Sequence, residues 1–168
     1  MPDLTKTKTE TDRELAPGEL ETDHVLVRAL RADDLAAVVR IDAQAIGRTR
    51  KAYYEGKLGT ALEAGALQTS LAAELDDHVV GFILARLYYG EFGRTEPTAI
   101  IDSIGVDHDY HRRKVGEALM RQLTMNLRAL GVEHVESLVD WDQQDLLRFF
   151  AHHGFTPAPR LCLRLALL

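Results

Sequence analysis

The chain has 168 residues, of which 46% are hydrophobic and 27% charged, with a formal charge of −6. That is the size and balance of one soluble globular domain. The negative charge argues against general attraction to nucleic acid, which needs net positive faces. No apolar run approaches the roughly 20 residues that span a bilayer, so no membrane role is expected.

Met1 to about Asp23 is polar, contains Pro17–Gly18 and lacks the apolar core of a secretory leader. It reads as a flexible tail ahead of one domain over residues 24–168, with the cytoplasm as the default location. His24 to Leu30 reads as a strand. Asp33 or Asp34 can cap the helix that follows, in which Leu35, Val38, Val39, Asp42 and Ile46 recur near helical spacing and Gly47 is the stop. A second helix is expected from about Arg50 to Glu63. Leu67 to Leu75 and Val79 to Tyr88 read as strands around a tight Asp76–Asp77 turn. After a link with Gly90, Gly93 and Pro97, Thr98 to Val106 reads as another strand.

Asp107 to Lys114 is a polar, basic turn. Val115 to Leu130 gives the clearest helix, with Val115, Leu119, Leu123, Leu127 and Leu130 on one face and Gly131 as its stop. Val132 to Val139 reads as a strand, Gln143 to His153 as a helix closed by Gly154, and Arg160 to Leu168 as a last alternating strand. Helix-linked strands of this order imply a mixed sheet with helices on both faces. The last strand ends apolar, and an edge of that kind favours pairing as a homodimer.

The segment from Val106 to Met120 carries the chemistry. A strand ends, a basic turn follows and an amphipathic helix begins. The first N–H groups of that helix have no partners within it and carry the positive end of its dipole. A diphosphate suits that position. Arg112, Arg113 and Lys114 add positive charge, and Gly116 allows close approach to the backbone. The plain alternative is a basic helix start on the surface, yet cations there oppose the dipole. The phosphate-binding signatures of triphosphatases and of dinucleotide folds are both missing.

Strand, basic turn and helix together resemble the acetyl-CoA signature of the GNAT N-acetyltransferase superfamily, Gln/Arg-x-x-Gly-x-Gly/Ala. His111 falls at the Gln/Arg, Lys114 at the first Gly and Gly116 at the second. A rival register, Arg113-x-x-Gly116-x-Ala118, fits the letters better but breaks the spacing from Val106. Leu147 to Phe155 resembles the superfamily's helix–Gly–Phe ending. The resemblance covers about residues 24–167. It implies an α/β fold with a mixed, mostly antiparallel six- to seven-stranded sheet, helices on both faces and splayed central strands. It also implies acetyl-CoA as co-substrate and an amine, of a small molecule or a protein, as acceptor, with no covalent acyl-enzyme.

By the same resemblance Ile104, Gly105 and Val106 would line the pantetheine and thioester, with a bulge at Gly105 and the Val106 N–H polarising the carbonyl. Residues His111, Arg112, Arg113, Lys114, Val115, Gly116 and Glu117 would hold the diphosphate. Gln143 stands where members carry an Asn that contacts the cofactor. Phe150 stands where many carry a proton-donating Tyr, and it can give no proton. Asp102 lies where a side-chain base is often found, acting directly or through a water; it could instead bind substrate charge or nearby backbone.

Asp140 and Trp141 could hold a cationic amine, or Asp140 and Asp142 could cap the next helix while Trp141 packs. Tyr53, Tyr54, Tyr88 and Tyr89 could line an acceptor groove or be half-buried sheet or helix residues. Cys162 lies between leucines, where it reads as a small packed hydrophobe rather than a nucleophile. The spacing of His108, His111, His152 and His153 is no zinc motif, and no metal is expected.

Overall fold

In a computed structural model the described residues are 24–63, 69–89, 93 and 95–167. The expected N-terminal tail and the start of the second expected strand, Leu67 and Gln68, lie outside them. The elements are β1 (Leu26–Ala29), α1 (Leu35–Ile46), α2 (Lys51–Glu63), β2 (Ser70–Leu75), β3 (His78–Tyr88), β4 (Thr98–Val106), α3 (Val115–Ala129), β5 (His134–Ser137) and α4 (Gln144–His152). Strand order in the sheet is β1-β2-β3-β4-β5, with β1 to β4 antiparallel neighbours. The chain divides into two compact units at Glu136 and Ser137.

In the first unit, β3 is the central strand because its residues alternate between two apolar surfaces. Val80 to Ala85 are all buried. Phe82 and Leu84 join Leu30, Val38, Ile41, Tyr54, Leu58 and Ala72 in a core on the side of α1 and α2. Gly81 faces the other way, toward Val115 and Leu119 of α3, where an added Cβ would lie 2.7 Å from Val115 Cγ1. A side chain there would push the helix off the sheet. The α3 stripe, Val115, Ala118, Leu119, Met120, Leu123 and Leu127, is buried as its spacing predicts.

The β2–β3 hairpin turns on Asp76 (φ 50°) and Asp77 (φ 61°), both in the left-handed region that a two-residue turn of this type demands. Asp34 does not cap α1 through its side chain. Its carboxylate instead takes two bonds from the Arg28 guanidinium (2.7 and 2.8 Å) and one from the Arg31 N–H (2.7 Å). Burial alone would raise this carboxyl's pKa, but these donors hold it below the ordinary carboxylate value.

Among the described residues the sheet has five strands, where six to seven were expected. None of Leu161 to Leu167 lies in a strand among the described residues, and Leu161, Leu163, Leu165 and Leu167 are each more than 80% exposed. Alternation gives a segment strand propensity, but a strand exists only where an edge accepts its hydrogen bonds. Cys162 within this segment is exposed, not packed. In the second unit α4 ends at Gly154 (φ 83°), with the Phe155 N–H returning to Phe150 O (3.0 Å). The Phe150 ring is buried against Phe149 and Phe155 (centroids 5.6 and 4.8 Å). No helix among the described residues is long and apolar enough to cross a membrane.

Candidate active site

The end of β4 sets the geometry. Successive strand residues present their backbone groups to opposite edges. The Asp107 N–H donates to Val80 O on β3 (2.8 Å). Val106 therefore turns its N–H and carbonyl away from β3, and its carbonyl accepts from the His111 ring Nε2 (3.1 Å). That bond fixes the proton on Nε2 of His111. On this outer edge β5 begins beside Pro97, whose carbonyl takes the N–H groups of Glu133 and His134 (2.9 and 3.4 Å). Four residues in β5 cannot accompany nine in β4, so the strand partner runs out before Val106.

Past Val106 the chain makes a short 3-10 turn, His108 to Tyr110, and then a left-handed step at Arg112 (φ 69°) and another at Lys114 (φ 58°). The N–H groups of Tyr110, His111 and Arg113 are spent inside this turn, on Asp107, His108 and Tyr110 carbonyls. Among the described residues nothing accepts from the N–H groups of Arg112, Val115, Gly116 or Glu117. Left-handed steps between right-handed ones gather amides into an anion-binding concavity, and here it opens at the N-terminus of α3. Left-handed conformations cost a residue with a Cβ about 1–2 kcal/mol. This is why Gly suits the Lys114 position and why Lys there departs from the signature. The Lys114 ammonium folds onto Glu117 (2.9 Å). Arg112 and Arg113 are exposed and line a hollow of about 260 Å³ with His24, Val25 and Leu75.

Asp107, 3% exposed, anchors the turn. Its carboxylate pairs with Arg40 and accepts from Gln44 Nε2 (3.2 Å), both on α1, and from the Asp109 N–H (3.1 Å). Gln44 also accepts from the His108 N–H (3.1 Å). Burial would raise the Asp107 pKa, but the donors, Arg40 foremost, bring it below the usual carboxylate range. The sequence reading missed this anchor, since Arg40 lies 67 positions away.

The expected bulge at Gly105 is not there. Ile104, Gly105 and Val106 pair in step with Ile83, Phe82 and Gly81, and the register slips between Ser103 and Ile101, leaving Asp102 as the extra residue. Gly105 is glycine for space: a Cβ would meet Phe82 Cε1 at 2.8 Å and Ile41 Cγ2 at 3.0 Å. The bulge re-aims Asp102 onto the α1–α2 side, beside Ser103, where it pairs with Lys57 Nζ (3.1 Å) and Arg86 Nε (3.3 Å). Lys57 and Arg86 were also missed in sequence, because they lie on α2 and β3. Taking a proton at Asp102 would weaken both ion pairs.

The tyrosines divide. Tyr54 is buried, and its hydroxyl donates to Asp42 (2.8 Å), which also receives the Arg50 guanidinium (2.9 Å). Burial first, then the bond to Asp42, pushes the Tyr54 pKa up. Tyr53 is 42% exposed, with Lys57 Nζ 5.6 Å from its ring centroid.

In the second unit Gln143 accepts from the Asp140 N–H (3.4 Å) and its own N–H returns to Asp140 O (3.1 Å). Asp140 is exposed and Trp141, at 90% exposure, does not pack. Among the described residues no three His, Cys, Asp or Glu side chains gather as a metal site.

A strand that outlasts its neighbour, followed by an amide-rich turn and a helix N-terminus, offers a place for an anionic group. The profile of the acetyltransferase (GNAT) family matches residues 40–155, and the chain belongs to that family, whose members are N-acetyltransferases. No match is found among curated proteins. Solved structures that share the fold include the following three. A transcriptional regulator from Bacillus halodurans C-125 is 18% identical with a TM-score of 0.68, over 86% of this chain and 100% of that one. Ribosomal-protein-alanine N-acetyltransferase from Brucella melitensis biovar Abortus 2308 is 18% identical with a TM-score of 0.64, over 85% and 99%. AAC(6')-Iy, in complex with the bisubstrate analogue CoA-S-monomethyl-acetylneamine, is 17% identical with a TM-score of 0.67, over 86% and 99%.

Proposed function

We propose that this chain transfers an acetyl group from acetyl-CoA to an amine by direct attack within a ternary complex. The observation that carries the reading is the set of unspent amides at Arg112, Val115, Gly116 and Glu117, which suits a diphosphate. Arg112, Arg113 and Lys114 supply charge around it, and His111 holds the strand end. The edge from Ile104 through Gly105 to Val106 takes the pantetheine, and the outward Val106 N–H polarises the thioester carbonyl. Gln143 and Phe150 keep the cofactor-contacting roles that the resemblance implies, Phe150 giving no proton. Asp140 and Trp141 draw the acceptor's ammonium. The bisubstrate analogue bound by AAC(6')-Iy, which joins CoA to an amine-bearing compound, supports the same chemistry here.

The amine nitrogen attacks the carbonyl carbon, the C–S bond breaks and CoA leaves as a thiolate. The amine's proton passes to water. Asp102 lies four residues before Val106, about 13 Å along a strand, so it receives the proton through water rather than by contact. A thiol of pKa about 8.5 leaves without a dedicated acid, which accommodates Phe150.

The chain acts in the cytoplasm on this reading. It pairs with a second copy, which the four exposed leucines of the last segment support; light scattering giving a monomer's mass would refute the pairing. Calorimetric titration with CoA, beside thiol release from acetyl-CoA over a panel of amines, tests the whole. The result expected is CoA binding with amine-dependent thiol release. Binding without release from any amine would make the chain a non-catalytic acyl-CoA module, the reading that the departures at His111, Lys114 and Phe150 favour.

A further inference from the structure

Asp102 is one carboxylate between two cations. Lys57 Nζ lies 3.1 Å and Arg86 Nε 3.3 Å from its Oδ2, so the three side chains together carry one surplus positive charge. Arg86 spends its Nε on Asp102, and no described residue accepts from its two terminal nitrogens. Its side chain is 54% exposed and that of Lys57 34%. A guanidinium anchored through Nε presents its terminal N–H groups as a fixed fork, which matches a carboxylate. The bulge puts this arrangement where it is. Without the extra residue, Asp102 would share the face of Ile104 and meet neither cation.

We propose that Lys57 and Arg86 dock a carboxylate of the acceptor, and that the acceptor is a peptide-like amine with its carboxylate about 13 Å of chain from the reacting nitrogen. This rests on the acyl-transfer reading above, which puts the thioester beside Val106. The separation follows from the four strand steps from Asp102 to Val106. Two cations at this point repel a polycationic acceptor, whose second ammonium would fall among them, and attract an anionic end. Asp102 holds the two cations in place while leaving their outer donors available. The Tyr53 ring lies beside Lys57, its centroid 5.6 Å from Nζ.

The test uses the full chain with glycine peptides of one to five residues as rulers, each as free acid and as C-terminal amide. Tetraglycine extends to about 13–14 Å. The result expected is that kcat/KM peaks near tetraglycine and exceeds that of its amide by about tenfold or more, as for a charge-assisted bidentate contact. Arg86→Gln then brings the acid down to the amide's value, and Arg86→Lys restores part of the gap. Equal treatment of acid and amide would overturn the docking site while leaving acyl transfer intact. So would an Arg86→Gln effect that lowers both alike. Calorimetry with CoA present separates the remaining case. If no peptide is acetylated, yet tetraglycine binds more tightly than its amide and Arg86→Gln abolishes the difference, the docking site stands and acyl transfer falls.

Discussion

Replacing Asp107 by Ala tests whether the turn before α3 is held from α1. The carboxylate takes one ion pair and two further hydrogen bonds. The bond to a charged group contributes about 1.5–3 kcal/mol and each of the others about 0.5–1.5 kcal/mol. Arg40 is 49% exposed in its side chain, so it regains water and leaves no stranded charge. The net loss is then about 2–4 kcal/mol, or roughly 4–16 °C in melting temperature for a chain of this size. The pH dependence gives a second reading. The folded-state pKa of Asp107 is lowered, so its contribution is complete above the unfolded value of about 4 and is lost as pH falls through the folded value. Urea unfolding of both proteins at pH 7 and in acid should show a gap that closes as the pH drops. A gap below about 1 kcal/mol at pH 7, or one that stays constant into acid, would refute the anchoring argument.

Three further outcomes follow from the geometry. Gly81→Ala sets a methyl 2.7 Å from Val115 Cγ1 and should cost about 1–3 kcal/mol in urea unfolding. Tyr54→Phe removes the hydroxyl that donates to buried Asp42 and should cost about 1–2 kcal/mol by the same measurement, with acetyl-CoA affinity unchanged. The double variant Arg112→Ala, Arg113→Ala should raise KM for acetyl-CoA by about tenfold or more with kcat nearly kept, since both cations act on binding; steady-state kinetics at two salt concentrations check it, and the variant should be the less salt-sensitive.

The parts legible in sequence were those whose signal is local. Thr98 to Val106 reads as a strand and Val115 to Leu130 as a helix because period and stop residues lie with each segment, and the structure has them over Thr98–Val106 and Val115–Ala129. The turn between them announced itself through its charge and Gly116. The signals that failed join distant residues. Asp107 looks like any aspartate after a strand until Arg40 arrives from α1. The bulge fell on Asp102 rather than Gly105, because glycine marks both bulges and close packing, and only the position of Phe82 and Ile41 separates the two. The leucines after Arg160 carry a strand's alternation, yet that pattern names no partner edge.

Gly81 and Gly105 are neighbours across β3 and β4, one step apart in register, and each faces a different layer. The sheet is therefore pinched from both sides at one spot, thinner there than anywhere a side chain must fit. A helix pressed into such a notch cannot slide along its own axis without colliding with the next full-sized residue. The position of the turn before α3 is thus written in two absent methyl groups beneath it. Transplanting residues 107–117 onto a sheet without that notch would carry the letters of the turn but leave its amides aimed elsewhere.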